Sequence, residues 1–339
     1  MSFLLLAGGV TAQARSASSV TGAWRADGKI FREGNTPVRY KGVSAFALFD
    51  RFANGEDIGP FCRAYDGFNV LRIWPYVPNP PWVPGWNPPP NDVIAEGIRA
   101  CAGHGFHVEL TLLTDDNTHR LPWARALVEY LAGQNLPGLL IETGNEPSIH
   151  KDIDTMALRD VLARSGFLYT SGEYIDMTRH YGTYVVSHTE RDADWPRRAH
   201  DLFDYSETDG GPHLPGPKLR MPAVADEPIR PDMAGFNVLD FRAYFGACAL
   251  LGGGATFHSE SGKTAALPTG QEAPCIAAAL EGLTAFPADA PLGPYRRPTE
   301  ASLRTYVVGN YMVRVRPTTM NAPEAGWKPL DVDGILWTR

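Results

Sequence analysis

Between residues 38 and 261 the chain repeats one pattern: a short apolar run rich in β-branched and aromatic residues, then a stretch of helical spacing. The runs are VRYKGVSAF (38–46), FNVLRIWPYV (68–77), FHVELTLL (106–113), GLLIETGNEP (138–147), FLYTSG (167–172), YVVSHTE (184–190), PAVADEP (222–228) and ATFHSES (255–261). Strands separated by helices pair parallel, with the helices outside the sheet. Eight such units in about 250 residues predict a closed (β/α)8 TIM barrel, an α/β fold. A doubly wound open sheet would place a glycine fingerprint after its first strand, and KGVSAF is not G-x-G-x-x-G.

The segments between the runs carry helix signals. NDVIAEGIRACAGHG puts Val93, Ile94, Ile98 and Cys101 on one face, with Asn91 as N-cap and Gly103 or Gly105 as the stop. Ahead of the barrel, WRADGKIFREGNTPVRYKG reads as a hairpin turning at EGNTP. Beyond it, RTYVVGNYMVRVRP and KPLDVDGILWTR alternate as strands and are expected to form a small C-terminal β appendage beside that hairpin. The chain therefore divides into an N-terminal arm (1–22), a barrel with its N-terminal hairpin (23–288) and the appendage (289–339).

Composition removes several classes of function. The net charge is −7, and the basic residues are scattered, so no footprint for nucleic acid exists. No run approaches the ~18 apolar residues of a membrane span. Cys62, Cys101, Cys248 and Cys275 lie far apart in helix-like segments and read as buried free thiols. No H-x-H or HExxH spacing suggests a metal, and no cofactor is expected. The opening MSFLLLAGGVTAQA ends in an A-x-A-like step but has no basic n-region. It reads as a retained arm able to dock the protein to an assembly, in an extracellular or virion-associated setting.

In such barrels the chemistry sits at the C-terminal ends of the strands. There the second run offers Arg72, Trp74 and Tyr76, the fourth Asn145 and Glu146, and the fifth Tyr169 and Glu173. The sixth offers His188 and Glu190, the seventh Asp226 and Glu227, and the eighth His258 and Glu260. Acidic ends on the fourth and seventh strands face one another across the mouth. Two carboxylates about 5–5.5 Å apart perform retaining glycoside hydrolysis, one attacking the anomeric carbon and one protonating the leaving oxygen. Asn145 would bond the neighbouring sugar hydroxyl, and Arg72 would keep the nucleophile ionised. His188 and His258 would contact sugar. Trp74, Tyr76, Trp82 and Trp86 flank or lie in the proline-rich stretch 75–92, either as a local plug or as a stacking platform for sugar rings.

These residues resemble a family. GKIFREGNTPVRYKGVSAF, GFNVLRIW, GNEP and PAVADEP, in this order and spacing, are similar to clan A glycoside hydrolases of the cellulase and mannanase-like family. The resemblance covers roughly residues 25–285. It implies Glu146 as acid/base, Glu227 as nucleophile and a β-linked oligo- or polysaccharide as substrate. The chain departs from the family's pattern at SHTER, which has His188 where a strand-six tyrosine is common. It also departs at FHSES, which has Phe257 and His258 where a strand-eight tryptophan is common, and at DEP, where Asp226 adds a charge. A carbohydrate-binding barrel with little catalysis, or a glycan-contacting component of a viral or extracellular assembly, are the alternative readings.

Overall fold

The computed structural model describes residues 20, 22–76, 87–114, 120–147, 153–172, 181–187, 221–226, 228–232, 236–293, 295–296, 305–315 and 326–339. The chain opens with β1 (Trp24–Asp27), β2 (Ile30–Glu33) and β3 (Thr36–Val38). These form an antiparallel three-stranded sheet rather than the expected single hairpin. The extra turn falls at Gly28, whose φ of +59° is a left-handed value that favours glycine.

The barrel follows. Its strands are β4 (Tyr40–Ser44), β5 (Val70–Ile73), β6 (His107–Leu113), β7 (Leu139–Gly144), β8 (Leu168–Thr170), β9 (Val185–Ser187), β10 (Ala223–Asp226) and β11 (Gly254–Phe257). They pair parallel in the order β8-β7-β6-β5-β4-β11-β10-β9. Each of the eight runs holds one of these strands, with β11 starting one residue ahead of its run. Between β8 and β9 the ladder gives way to the chain just before β9, where Ser171 N–H donates to Tyr181 O (3.0 Å) and Thr183 N–H to Tyr169 O (2.8 Å). The barrel is thereby nearly closed.

Its helices among the described residues are α1 (Leu48–Ala53), α2 (Gly59–Ala64), α3 (Asn91–Gly103), α4 (Leu121–Ala132), α5 (Arg159–Ser165), α6 (Val238–Leu251), α7 (Glu260–Lys263) and α8 (Glu272–Thr284). Asn91 is the first residue of α3, not its cap. Pro90 holds the cap position without a side-chain bond. The best-formed start is that of α6, where Asn237 and Asp240 make a reciprocal capping box. None of the described helices is long and apolar enough to cross a membrane. All four cysteines lie in α2, α3, α6 and α8, free and buried.

Strand alternation sorts the core. Val43, Leu71, Ile73, Val108, Leu110, Ile141, Ala223, Ala225 and Phe257 belong to the large apolar cluster that also holds the helix residues. Their alternates Tyr40, Val70, Leu140, Leu168, Tyr184 and Val224 form a second cluster with Trp24 and Phe31. The first set faces the helices and the second the barrel interior, as period-two side chains must. The N-terminal sheet thus plugs the bottom of the barrel: Phe31 meets Tyr184 edge-on at 5.7 Å, and Trp24 lies 4.1 Å from His107.

The C-terminal strands β12 (Tyr295–Arg296), β13 (Thr305–Val308), β14 (Tyr311–Arg314), β15 (Lys328–Pro329) and β16 (Leu336–Thr338) form a separate antiparallel sheet. This sheet packs on α6 instead of joining the N-terminal sheet. At Gly246, a Cβ would come within 2.9 Å of Leu336 and 3.5 Å of Val313. Both sheets alternate alike in sequence, and only their apolar faces decide where each docks.

Candidate active site

Above the apolar plug the interior turns polar. Arg72 on β5 is 1% exposed and is the largest fully buried side chain. Its Nε and Nη2 donate to Glu142 Oε2 on β7 at 2.9 and 2.7 Å, and Nε also lies 2.9 Å from Asp226 Oδ2 on β10. Glu142 accepts a third bond from Thr111 at 2.6 Å. One strand away, Glu109 accepts from Tyr184 at 2.5 Å and from Tyr40, which also reaches Thr256 at 3.1 Å. Room for the Tyr40 ring comes from Gly42, where a Cβ would sit 2.5 Å from that ring and 2.9 Å from Thr256 Oγ1.

Arg72 connects this interior cluster to the mouth. Its Nη2 donates to Asn145 Oδ1 at 3.0 Å, which fixes which end of the amide donates to anything else. Asn145 is held a second time by its backbone N–H on Leu113 O at 2.8 Å. Glu146 follows at once, half-buried, with a φ of +46°. A left-handed backbone at a residue with a Cβ costs about 1–2 kcal/mol, and such positions cluster at functional sites. The turn is pressed from the side by Gly172, where a Cβ would come within 2.1 Å of Gly144 O and 3.2 Å of the Pro147 ring. The strand therefore ends abruptly because its last residues are bent into the mouth and gripped there from two neighbouring strands.

Aromatic residues cluster at the mouth. Phe46, just past β4, stacks on Trp74 at 4.3 Å and 15°. Arg72 lies over its ring at 5.5 Å, and His258 meets it edge-on at 6.2 Å. Tyr76 is buried beside the same strand end. His258 is 2% exposed, and its Nε2 lies 3.0 Å from Glu260 Oε1. Glu260 opens α7 and also pairs with Lys263. Its hydrogen bond with His258 is the main reason that its carboxyl is lowered to about 2. That carboxylate is engaged at a helix start, with His258 and Lys263 as its partners.

Arg72, Asn145, Glu146, Trp74, Tyr76 and His258 thus gather at the C-terminal ends of β5, β7 and β11. Glu227, His188, Glu190, Glu173, Trp82 and Trp86 lie outside the described residues. Glu227 directly follows Asp226, the last residue of β10. Among the described residues no group of His, Cys, Asp and Glu suits a metal ion. The residues that sequence reasoning missed are Glu142 and Glu109, the latter with its partners Tyr40 and Tyr184. Their signal was present in HVELTLL and LLIETG, where a charge interrupts a strand otherwise apolar on both faces.

No protein-family model matches the sequence, and neither does any curated protein. Solved structures do match. A Bacteroides vulgatus barrel with a proposed glycoside hydrolase activity superposes with a TM-score of 0.58 at 13% identity, over 86% of this chain and 66% of that one. This chain therefore spans about two thirds of that longer protein. A β-1,4-D-mannanase from Cryptopygus antarcticus gives 0.51 at 11% identity, over 77% of this chain and 95% of that one. A β-glucanase from Saccharophagus degradans, solved with cellotetraose, gives 0.51 at 12% identity, over 78% and 94%. The chain has their fold. At these identities the likeness establishes the fold alone, and the chemistry has to be argued from the residues at the mouth.

Proposed function

We propose that the protein is a retaining glycoside hydrolase that cleaves a β-linked oligo- or polysaccharide, with Glu146 as acid/base and Glu227 as nucleophile. The observation that carries this reading is the Asn145–Glu146 turn. It closes the fourth barrel strand in a strained left-handed conformation and is tied by Arg72 to the seventh. Structural strands have no use for such an ending. A double displacement does, because it needs one carboxyl fixed at the leaving-group oxygen and a second about 5–5.5 Å away on the opposite side of the anomeric carbon.

In this mechanism Glu227 attacks the anomeric carbon while Glu146 donates its proton to the departing oxygen. Glu146 then takes a proton from water, which attacks the glycosyl-enzyme and releases the sugar with its anomeric configuration retained. Asn145 would bond the sugar hydroxyl beside the reacting carbon, and the Phe46–Trp74 stack and His258 would line the sugar's approach. The mannanase and glucanase among the structural neighbours support a saccharide substrate, and aromatic rings at the mouth are suited to the C–H faces of pyranose rings.

The test compares the wild type with Glu146→Ala on two glycosides of the same sugar, after a screen of aryl glycosides, mannan and β-glucan has identified that sugar. A dinitrophenolate leaves without protonation, so its release should suffer least, whereas a natural sugar leaving group should lose about 100-fold or more. Equal losses on both substrates would remove Glu146 from the acid role.

A further inference from the structure

Glu109 has no part in the proposed chemistry, yet it sits mid-barrel and is 1% exposed. Polar groups converge on it from around the barrel. Tyr40 on β4 and Tyr184 on β9 each bond one of its oxygens. Arg72 on β5 is its direct partner across the ladder. Glu142 on β7 and Asp226 on β10 act on it as like charges. From β11, Thr256 reaches it through the Tyr40 hydroxyl. On its own strand His107 lies below and Thr111 above, and β8 contributes the apolar Leu168.

Among the described residues, three carboxyls here lie around one guanidinium, and none of the four side chains is more than 1% exposed. Full ionisation would leave these four side chains with an excess of two negative charges in the low-dielectric interior, which is costly. One carboxyl must stay protonated, and Glu109 is the one Arg72 does not grip. Burial first, then the charges of Glu142 and Asp226, push it from 4.5 up to about 8, against the pull of Arg72 and of the Tyr184 bond.

We infer that Glu109 is a positioning residue, a neutral acid clamped by Tyr40 and Tyr184 that leaves Arg72 free to hold Glu142, Asp226 and Asn145 in place. When neutral it donates to one tyrosine oxygen, and the Tyr40 proton is then directed to Thr256. When ionised it competes for the guanidinium across the ladder and draws it away from Asn145. The consequence for turnover rests on the reading of Glu146 as acid/base, because Asn145 is the neighbour that would shift.

The experiment measures kcat/KM against pH on a dinitrophenyl β-cellobioside or β-mannoside for wild type, Glu109→Gln and Tyr184→Phe. Urea unfolding of the same proteins is followed from about pH 5 to pH 9. The wild type should lose activity on an alkaline limb centred near 8. Glu109→Gln cannot ionise and should move that limb up by about one unit or more. Tyr184→Phe removes a bond that favours the anion and should also move it up, which keeps the test alive if the glutamine variant folds poorly. In stability, the folded wild type keeps a proton that the unfolded chain gives up above its ordinary value. Its folding equilibrium should therefore fall by about tenfold per pH unit relative to Glu109→Gln between about 4.5 and 8. An unmoved limb overturns the positioning role even if the stability curves diverge, and parallel curves overturn it outright. If the wild type turns over neither these glycosides nor any other in the screen, the hydrolase reading fails. The stability curves then decide Glu109: divergence supports the protonated clamp and parallel curves refute it.

Discussion

Replacing Arg72 with methionine removes a cation but keeps most of the buried chain length, so it isolates the charge. Two carboxylates, Glu142 at 0% and Asp226 at 1% exposure, then lose their shared counter-ion. Breaking one buried pair by removing a partner costs about 3–5 kcal/mol, because the stranded charge stays out of water. With two carboxylates on one guanidinium, the upper half of that range applies, about 4–5 kcal/mol at neutral pH. In a domain of this size that lowers Tm by on the order of 10 °C. Urea unfolding of both proteins at neutral pH reads the deficit. A deficit below about 1 kcal/mol would refute the idea that Arg72 neutralises the barrel interior.

Three further outcomes follow from single positions. Glu146→Gly should fold more stably than Glu146→Ala by about 1 kcal/mol, because glycine accepts the left-handed backbone at no steric cost; equal stabilities in urea would show that the turn is not strained. Gly172→Ala should lose about 2 kcal/mol or more, since its φ is +85° and the new Cβ collides with Gly144 O; a variant as stable as wild type would remove that contact from the account. Burial pushes the Cys62 thiol up to about 12 and raises the other three, so a thiol-exchange reagent should find none of the four reactive in the native protein and all four after unfolding.

Much of this arrangement could be read from the residues alone, because the relevant signals are local. A buried parallel strand must be apolar, so eight runs such as FNVLRIW and GLLIETG announce themselves. The abrupt GNEP ending placed Asn145 and Glu146 at the mouth without any structure. What sequence could not supply was pairing across the barrel. The expected nucleophile partner of Arg72 lies outside the described residues, and its described partners include Glu142 and Asp226, which lie on strands not adjacent to its own. Those meetings depend on the stagger of the closed sheet, which no local pattern encodes. Glu260 looked like any strand-end acid until the chain after β11 turned at once into α7 and tied it to His258 and Lys263. Phe46 was passed over because an aromatic in an apolar run reads as core, whereas the barrel brings it against Trp74, Arg72 and His258 together.

The central claim is that hydrolysis proceeds through a covalent glycosyl-enzyme on the strand-seven carboxylate, with Glu146 opposite. A 2-deoxy-2-fluoro-β-glycosyl fluoride of the sugar the enzyme accepts slows both steps but keeps a good leaving group, so the intermediate accumulates. Intact-mass spectrometry followed by peptide mapping then reads the attachment site. The account predicts one added glycosyl group per chain, on Glu227. An adduct on Asp226 or elsewhere would contradict the nucleophile assignment, and rapid turnover of a natural β-substrate to the α-anomer with no adduct would contradict the retaining mechanism itself.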